Sequence, residues 1–414
     1  MKIRAIYILG AALLWSQFGF AQTDDEPKLE INGFVRNYTG VLIKPPNEYS
    51  IIQNTLNLEF RLQSDKFALY ANPYYFQYPN KEDEFSLREA YVDIYLDKFD
   101  FRVGKQQIVW GQADGVFITD IVSPLDLTDF LLRDFSEIRI GVSAAKINYY
   151  PSYDHSFEFV WIPSFTPSVF PAGIWEPKID FPAPPTFDNS NREVAFNLES
   201  SEVFLKYSIS KSWADIQLMG AYTWDDAPTM HVTPIVPPDP SAPGLLIKPE
   251  HHRLALAGMS FNTQLEGFVL RGEGAYYFDK HYQTTDPTST DFLVQKNFIN
   301  YVVGLDKSIG DWKLSTQFIQ RVILDYNPEM KDEEVDNLAT LLISKSMFRE
   351  TVRLEWFSYY GFNNNDALIR IRGFYYPMDA VSLEFGANIF TGTKGTFGQY
   401  DDNDMVYARI KYNF

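Results

Sequence analysis

The chain has 414 residues, no Cys, 36 basic against 54 acidic residues and a formal net charge of −18. Without Cys there is no disulfide framework, no thiol chemistry, no Cys-based zinc site and no lipid-bearing Cys, and the acidic balance argues against a nucleic-acid partner, which needs a basic surface. Aromatic residues make up 16% of the chain, with 34 Phe and 26 Tyr, a content suited to the aromatic girdles of a membrane barrel.

In chain order, the first element is an export signal. Lys2 and Arg4 form a charged start, Ile6 to Leu14 an apolar stretch too short to span a bilayer, and Gly19-Phe20-Ala21 a small-residue cleavage site before Gln22. Residues 1–21 are therefore expected to be removed, with 22–414 as the mature chain. No later run is long and apolar enough for a transmembrane helix. An exported chain of this kind is periplasmic or an outer-membrane β-barrel, and the strand pattern decides between them.

Leu56, Leu58, Phe60 and Leu62 alternate with Asn57, Glu59 and Arg61. Ala90, Val92, Ile94 and Leu96 alternate with Glu89, Tyr91, Asp93 and Tyr95. The pattern returns at Val352–Trp356 and Ile369–Arg372, and in the last strand, where Val406, Ala408, Ile410, Tyr412 and Phe414 alternate with Tyr407, Arg409, Lys411 and Asn413. A period of two, with apolar side chains outward and polar ones inward, is the pattern of a transmembrane barrel. Short links such as 64–66, 97–98, 151–154, 309–311 and 377–379 alternate with long polar or Pro-rich stretches at 164–197, 225–250, 279–295 and 391–402. Tight periplasmic turns alternating with long outer loops give the same fold class: all-β, an antiparallel barrel of about 18 strands, or 16 if one outer pair is a loop excursion. The stretch 336–361 is too long for one strand and is split near Phe348-Arg349-Glu350.

Residues 111–137 break the pattern. Ser123, Pro124 and Asp126 predict a helix start, through capping, a preset first turn and charge at the positive helix end. That helix would bury Leu125, Phe130 and Leu131. The segment joins the outer ends of the fifth and sixth strands and is expected to fold into the lumen as a constriction or plug, with Asp114, Asp120, Asp126 and Asp129 available to line it. An external loop with a little helix is the alternative.

Here a resemblance appears. Gly104-Lys105-Gln106-Gln107-Ile108-Val109-Trp110-Gly111, followed by Ile121-Val122-Ser123-Pro124-Leu125-Asp126, resembles a Gram-negative outer-membrane family catalogued as domain of unknown function 1302, with Ser123 standing where that family carries Asn. Leu342 to Arg349, Phe397-Gly398, Asp402-Asn403-Asp404 and Tyr407-Ala408-Arg409 are also similar to it. The resemblance implies a porin-like channel and names no substrate.

Inside the lumen, the alternation places Arg36, Glu59, Arg61, Glu89, Asp93, Arg102, Arg139, Arg271, Glu273, Arg353, Glu355, Arg370, Arg372, Glu384 and Arg409. These either pair across neighbouring strands and stiffen the wall, or set arginines of the last strands against acids of the fourth strand and the inner segment, giving a field that orients solutes. Phe414, with Tyr412 and Ile410 on one face, resembles the terminal signal read by the barrel-assembly machinery. His231, His251, His252 and His281 read as rim residues and not as a metal site, and no cofactor is expected. No Gly-X-Ser-X-Gly elbow, His-Glu-X-X-His or phosphate-binding loop is present, so the chain is not read as an enzyme.

The sequence thus points to a porin-like outer-membrane channel for an unnamed small solute. It would contact outer-membrane lipid and lipopolysaccharide, and a homo-oligomer stays open. Two alternatives remain: a surface-binding or structural barrel with a sealed lumen, and the outer-membrane partner of an inner-membrane exporter.

Overall fold

A computed structural model describes residues 27–414 except 80, 180, 182 and 236–243. The expected export signal, 1–21, and most of the Pro-rich run 234–243 lie outside the described residues. The wall begins with β1 (Lys28–Leu42), β2 (Tyr49–Gln63), β3 (Phe67–Gln77), β4 (Glu84–Tyr95), β5 (Phe99–Gln106), β6 (Val142–Ser152) and β7 (His155–Ile162). A short β8 (Pro185–Phe187) lies off the wall, which continues with β9 (Glu202–Ser210) and β10 (Asp215–Trp224). β11 (Thr229–Ile235) and β12 (Gly244–Glu250) again lie off it. The remainder is wall: β13 (Arg253–Leu265), β14 (Phe268–Gln283), β15 (Leu293–Ile309), β16 (Trp312–Ile323), β17 (Val335–Met347), β18 (Val352–Gly361), β19 (Asp366–Met378), β20 (Val381–Thr391) and β21 (Met405–Asn413).

Eighteen strands form one antiparallel sheet, each paired with its neighbour along the chain. The sheet closes where β1 meets β21, with Phe34 opposite Asn413 and Leu42 opposite Met405. Closure leaves no unpaired edge, which a hydrocarbon environment requires of any sheet crossing it. At one rim the wall strands are joined by turns of two to four residues, and at the other by connections of four residues or more, the largest spanning 107–141, 163–201 and 225–252. The turn at Phe348-Arg349-Glu350 divides β17 from β18, with all three residues at positive φ.

The alternation sets the two surfaces. Leu205, Leu218, Met259, Leu305, Ile371, Phe385 and Ile410 are exposed on the outside, whereas Arg36, Asn57, Gln106, Ser260, Gln317, Arg370 and Asn388 are buried within. The outward apolar face meets lipid and the polar face turns to the lumen, as in barrels of the Gram-negative outer membrane.

Several expectations need correction. β5 ends at Gln106 and β6 begins at Val142, so the interruption is wider than 111–137 at both ends. The helix expected from Ser123 does not form. Ser123 instead accepts a bond from the Ile108 amide (2.8 Å). Pro124 and Ile138 carbonyls receive the Ile140 and Asp126 amides, so the backbone pairs with a returning stretch and not within a helix. The one helix of this segment is α1 (Phe135–Ile138), four residues long. Of the side chains assigned to the expected helix, Phe130 is buried, while Leu125 and Leu131 are only partly so. The stretch 225–250, expected as a loop, contains the β11–β12 hairpin, which with β8 forms a separate three-stranded sheet. The loop expected over 279–295 shrinks to 284–292, because β14 and β15 extend beyond the rim.

Candidate functional site

The segment 107–141 leaves the wall after β5 and is bonded to side chains all around the lumen. Glu273 on β14 accepts the Gln112 amide (2.8 Å), the Thr119 amide (2.6 Å) and the Thr119 hydroxyl (2.8 Å). Gln317 on β16 brackets Asp114, accepting its amide (3.0 Å) and donating to its carbonyl (2.7 Å). Tyr277 on β14 and Tyr359 on β18 donate to the carbonyls of Ile118 (2.6 Å) and Gly115 (2.8 Å). Gly115 sits at φ 79°, and a Cβ there would come within 2.6 Å of the Tyr359 hydroxyl, so the close approach needs glycine.

Farther along, Arg370 on β19 donates to the carbonyls of Leu131 (3.0 Å) and Leu132 (3.2 Å). Arg409 on β21 reaches Asp134 (3.0 Å) and Glu384 (3.4 Å) and stacks on Tyr38. Arg36 on β1 grips Glu137 with both terminal nitrogens (2.8 and 2.9 Å). Such paired, charge-assisted bonds fix orientation as well as position. The segment thus spans the lumen from β5 to β14, β16, β18, β19, β21 and β1.

The expected lining residues divide by what holds them. Asp120 is buried, bonded to the Trp110 amide (3.1 Å) and to Arg139 (2.5 Å), and so staples the segment to itself. Arg139 also donates to the Phe135 carbonyl (2.6 Å). Asp126 and Asp129 share Arg133, the latter at 2.8 Å. Asp114 pairs with Arg271 of the wall (2.5 Å). Two pairs join neighbouring strands instead: Arg102 with Asp93 (2.6 Å) and Arg372 with Glu355. Glu89 accepts the Gln107 amide (2.8 Å), and Arg353 lies over the Phe374 ring (4.2 Å). At the end of the chain, Gly33 and Phe414 exchange backbone bonds (2.9 and 3.0 Å), and Ile410 and Tyr412 face outward.

Arg133, Asp134 and Glu137 were not singled out in the sequence, although a charged run interrupting an apolar one marks them. Burial would raise the Asp134 carboxyl, but Arg409, Arg36, Arg370 and Arg372 pull it down to about 2. Nor was Trp175 in the 163–201 connection, and nothing in its sequence context distinguishes it.

Apolar clusters pack parts of the segment against the wall. Ile108, Trp110 and Val122 meet Val160, Ile162, Phe204 and Met219 of β7, β9 and β10. Ile118 meets Val302 and Ile319, and Phe130 and Leu132 join Tyr359, Leu368, Phe390 and Tyr407. The sector facing β2–β4 differs. There Glu59, Tyr70, Tyr74, Arg88 and Glu89 line one side of a cavity of ≈ 620 Å³ that extends past Arg36 on β1 to Glu384 and Arg409 on β20 and β21, with Asp134 and Glu137 on the segment side. Among the described residues, no group of three or more His, Cys, Asp or Glu side chains is placed to hold a metal ion.

Residues 53–341 match the family described as protein of unknown function (DUF1302). No curated protein sequence matches the chain. Solved structures do. Acinetobacter baumannii OccAB3 is 8% identical with a TM-score of 0.56, covering 94% of this chain and 99% of its own. Pseudomonas aeruginosa OccK2 (OpdF), in complex with glucuronate, is 8% identical with a TM-score of 0.56 over 94% and 97%. Pseudomonas aeruginosa OccK5 (OpdH) is 9% identical with a TM-score of 0.55 over 94% and 97%. At these identities the likeness is one of fold.

Proposed function

Because the chain belongs to the DUF1302 family and closes into a porin-like outer-membrane barrel, we propose that it is a non-enzymatic channel for small solutes, narrowed by its in-folded segment. The observation that carries this reading is the polar cavity between the inner segment and β1–β4 with β19–β21. Apolar clusters pack the segment against β6–β10 and β14–β16, whereas Glu59, Tyr70, Tyr74, Arg88 and Glu89 face a cavity shared with Arg36, Glu384 and Arg409 of the wall and with Asp134 and Glu137 of the segment. Mixed charge over a short stretch, in a low-dielectric surround, favours polar solutes and orients them. Asp114, Asp120, Asp126 and Asp129 then hold the constriction in place, and Glu89 with the Arg36–Glu137 pair borders the route.

The extent of the apolar clusters favours a second reading, a sealed barrel that acts through its outer loops. Planar-bilayer conductance separates the two, using the refolded mature protein beside a variant lacking 112–136. Ohmic steps that grow in the deletion support the channel. A folded barrel that is silent in both forms supports the sealed reading. Glu273→Gln, which loosens the segment without removing it, guards against misfolding of the deletion. Ile410, Tyr412 and Phe414 are kept in this reading as the assembly signal, tested by outer-membrane yield of Phe414→Ser.

A further inference from the structure

A second element crosses the mouth above the inner segment. The connection 163–201 leaves β7, the seventh wall strand, and touches the β20–β21 connection between the seventeenth and eighteenth, nearly opposite in a ring of eighteen. On its way it rides on the inner segment. Ser168 accepts the Leu125 amide (2.9 Å), Val169 donates to the Leu125 carbonyl (2.8 Å) and accepts the Leu127 amide (2.9 Å), and Ala172 donates to the Thr128 carbonyl (3.2 Å).

Its far end is a latch. Trp175 is buried to 4% exposure among aromatic rings, with centroids 5.5 Å from Phe390 and 5.7 Å from Tyr400. Phe130 of the inner segment lies against the same two rings, at 6.2 and 4.9 Å. The Tyr400 hydroxyl donates to the Trp175 carbonyl (2.8 Å), and the Asn403 amide donates to that of Ile174 (2.5 Å). Beside Trp175, the Lys178 amide donates to Gln399 (3.3 Å) and the Lys178 ammonium lies 3.7 Å from Asp402, both solvent-exposed contacts with the same β20–β21 connection. Gly173 has φ 63° and no atom within 4 Å of where a Cβ would stand, and Ile174 is 40% exposed. Beyond the latch, Ile179, Phe196 and Leu198 are exposed.

We propose that residues 168–178 form an outer gate, a strap laid across the mouth and fastened to the far wall by Trp175. With the latch seated, the strap covers the inner segment and closes the entrance from the outer side. With Trp175 withdrawn, the far side is left with the exposed contacts of Ile174 and Lys178, the strap hinges on its near-side bonds to residues 125–128 and to Asp226, and the mouth opens. The barrel carries the constriction below and the gate above, coupled because Phe130 and Trp175 share one aromatic cluster. This inference rests on the channel reading, and its test is arranged so that the two fail differently.

The chain has no Cys, so a pair can be introduced without background. Ile174→Cys with Asn403→Cys, joined by a short bifunctional thiol reagent, locks the strap, and Trp175→Ala releases it. Single-channel records of the full mature protein are taken for both, with folding checked by the heat-dependent gel shift of the barrel. The gate predicts a several-fold rise in open fraction for Trp175→Ala, and long closures for the cross-linked pair that are absent before cross-linking. Wild-type open times in both variants would overturn it, as would silence in both while the 112–136 deletion conducts, since the inner segment would then close the pore alone. Silence of the deletion as well would remove the channel reading, and the gate with it.

Discussion

Glu273 is the buried anchor of the inner segment, and its removal gives the sharpest test of how that segment is held. The carboxylate is 5% exposed and serves three donors, two backbone amides and a hydroxyl. In Glu273→Gln the side-chain oxygen can keep Thr119, but the new NH₂ group faces the Gln112 amide, donor against donor. One bond is lost, one buried N–H is orphaned and the charge assistance disappears, which costs about 1–3 kcal/mol. At about 2 kcal/mol, local opening becomes roughly 30-fold more frequent. Hydrogen exchange reads this directly: amides from Gln112 to Thr119 should exchange faster by that factor, while amides of β14 keep their protection. Conductance noise should rise with it. If exchange at Gln112 and Thr119 matched the wild type, Glu273 would not be holding the segment, and the structural basis for a fixed constriction would fail.

Gly115→Val should push the segment off β18, because its Cβ meets Tyr359 and Phe357 and its backbone sits in the left-handed region; mass spectrometry after mild proteolysis should find new cuts near 113–117. Arg36→Met leaves Glu137 as a half-buried unpaired charge and should lower stability by about 3–5 kcal/mol, whereas Arg36→Met with Glu137→Leu should recover most of it; equal losses in single and double variants would contradict the pairing. At the outer sheet, burial holds His251 and His252 below the ordinary imidazole value of 6.5, and His231 adds to the effect at His252. Groups depressed in the docked state favour docking fully above that value and lose the preference as pH falls below it. Protease cutting of the β11–β12 hairpin should therefore increase between about pH 7.5 and pH 5, and a flat profile would mean that these imidazoles do not hold the sheet.

The barrel was legible because a strand that faces lipid on one side writes its orientation into every second residue. Val352–Trp356 and Met405–Phe414 need no partner to be read. The division of 336–361 at Phe348-Arg349-Glu350 was legible from length, since the stretch exceeds what one strand spans. The helix placed at Ser123 was misread because local capping chemistry competes with tertiary pairing. Ser123 spends its hydroxyl on Ile108, and Pro124 spends its carbonyl on Ile140, neither of which is near in sequence. The β11–β12 hairpin escaped notice because Pro234 and Pro249 mask the pattern, and both are tolerable only because this sheet has free edges. Partners across the lumen, such as Arg36 with Glu137 at a separation of 101 residues, leave no local trace at all.

Charge explains why the arginines fall where they do. Within 107–141 there are six acids, Asp114, Asp120, Asp126, Asp129, Asp134 and Glu137, and two bases, Arg133 and Arg139. An uncompensated surplus of four negative charges in a low-dielectric lumen would be expelled from it. Four wall arginines reach the segment: Arg36, Arg271, Arg370 and Arg409. They lie on β1, β14, β19 and β21, and two of them, Arg36 and Arg409, line the cavity together with Glu59 and Glu89. The arginines on β1 and β21 thus both offset the charge of the segment and give the cavity basic groups beside Glu59 and Glu89. On the channel reading, residues that anchor the constriction therefore also border the space a solute would cross.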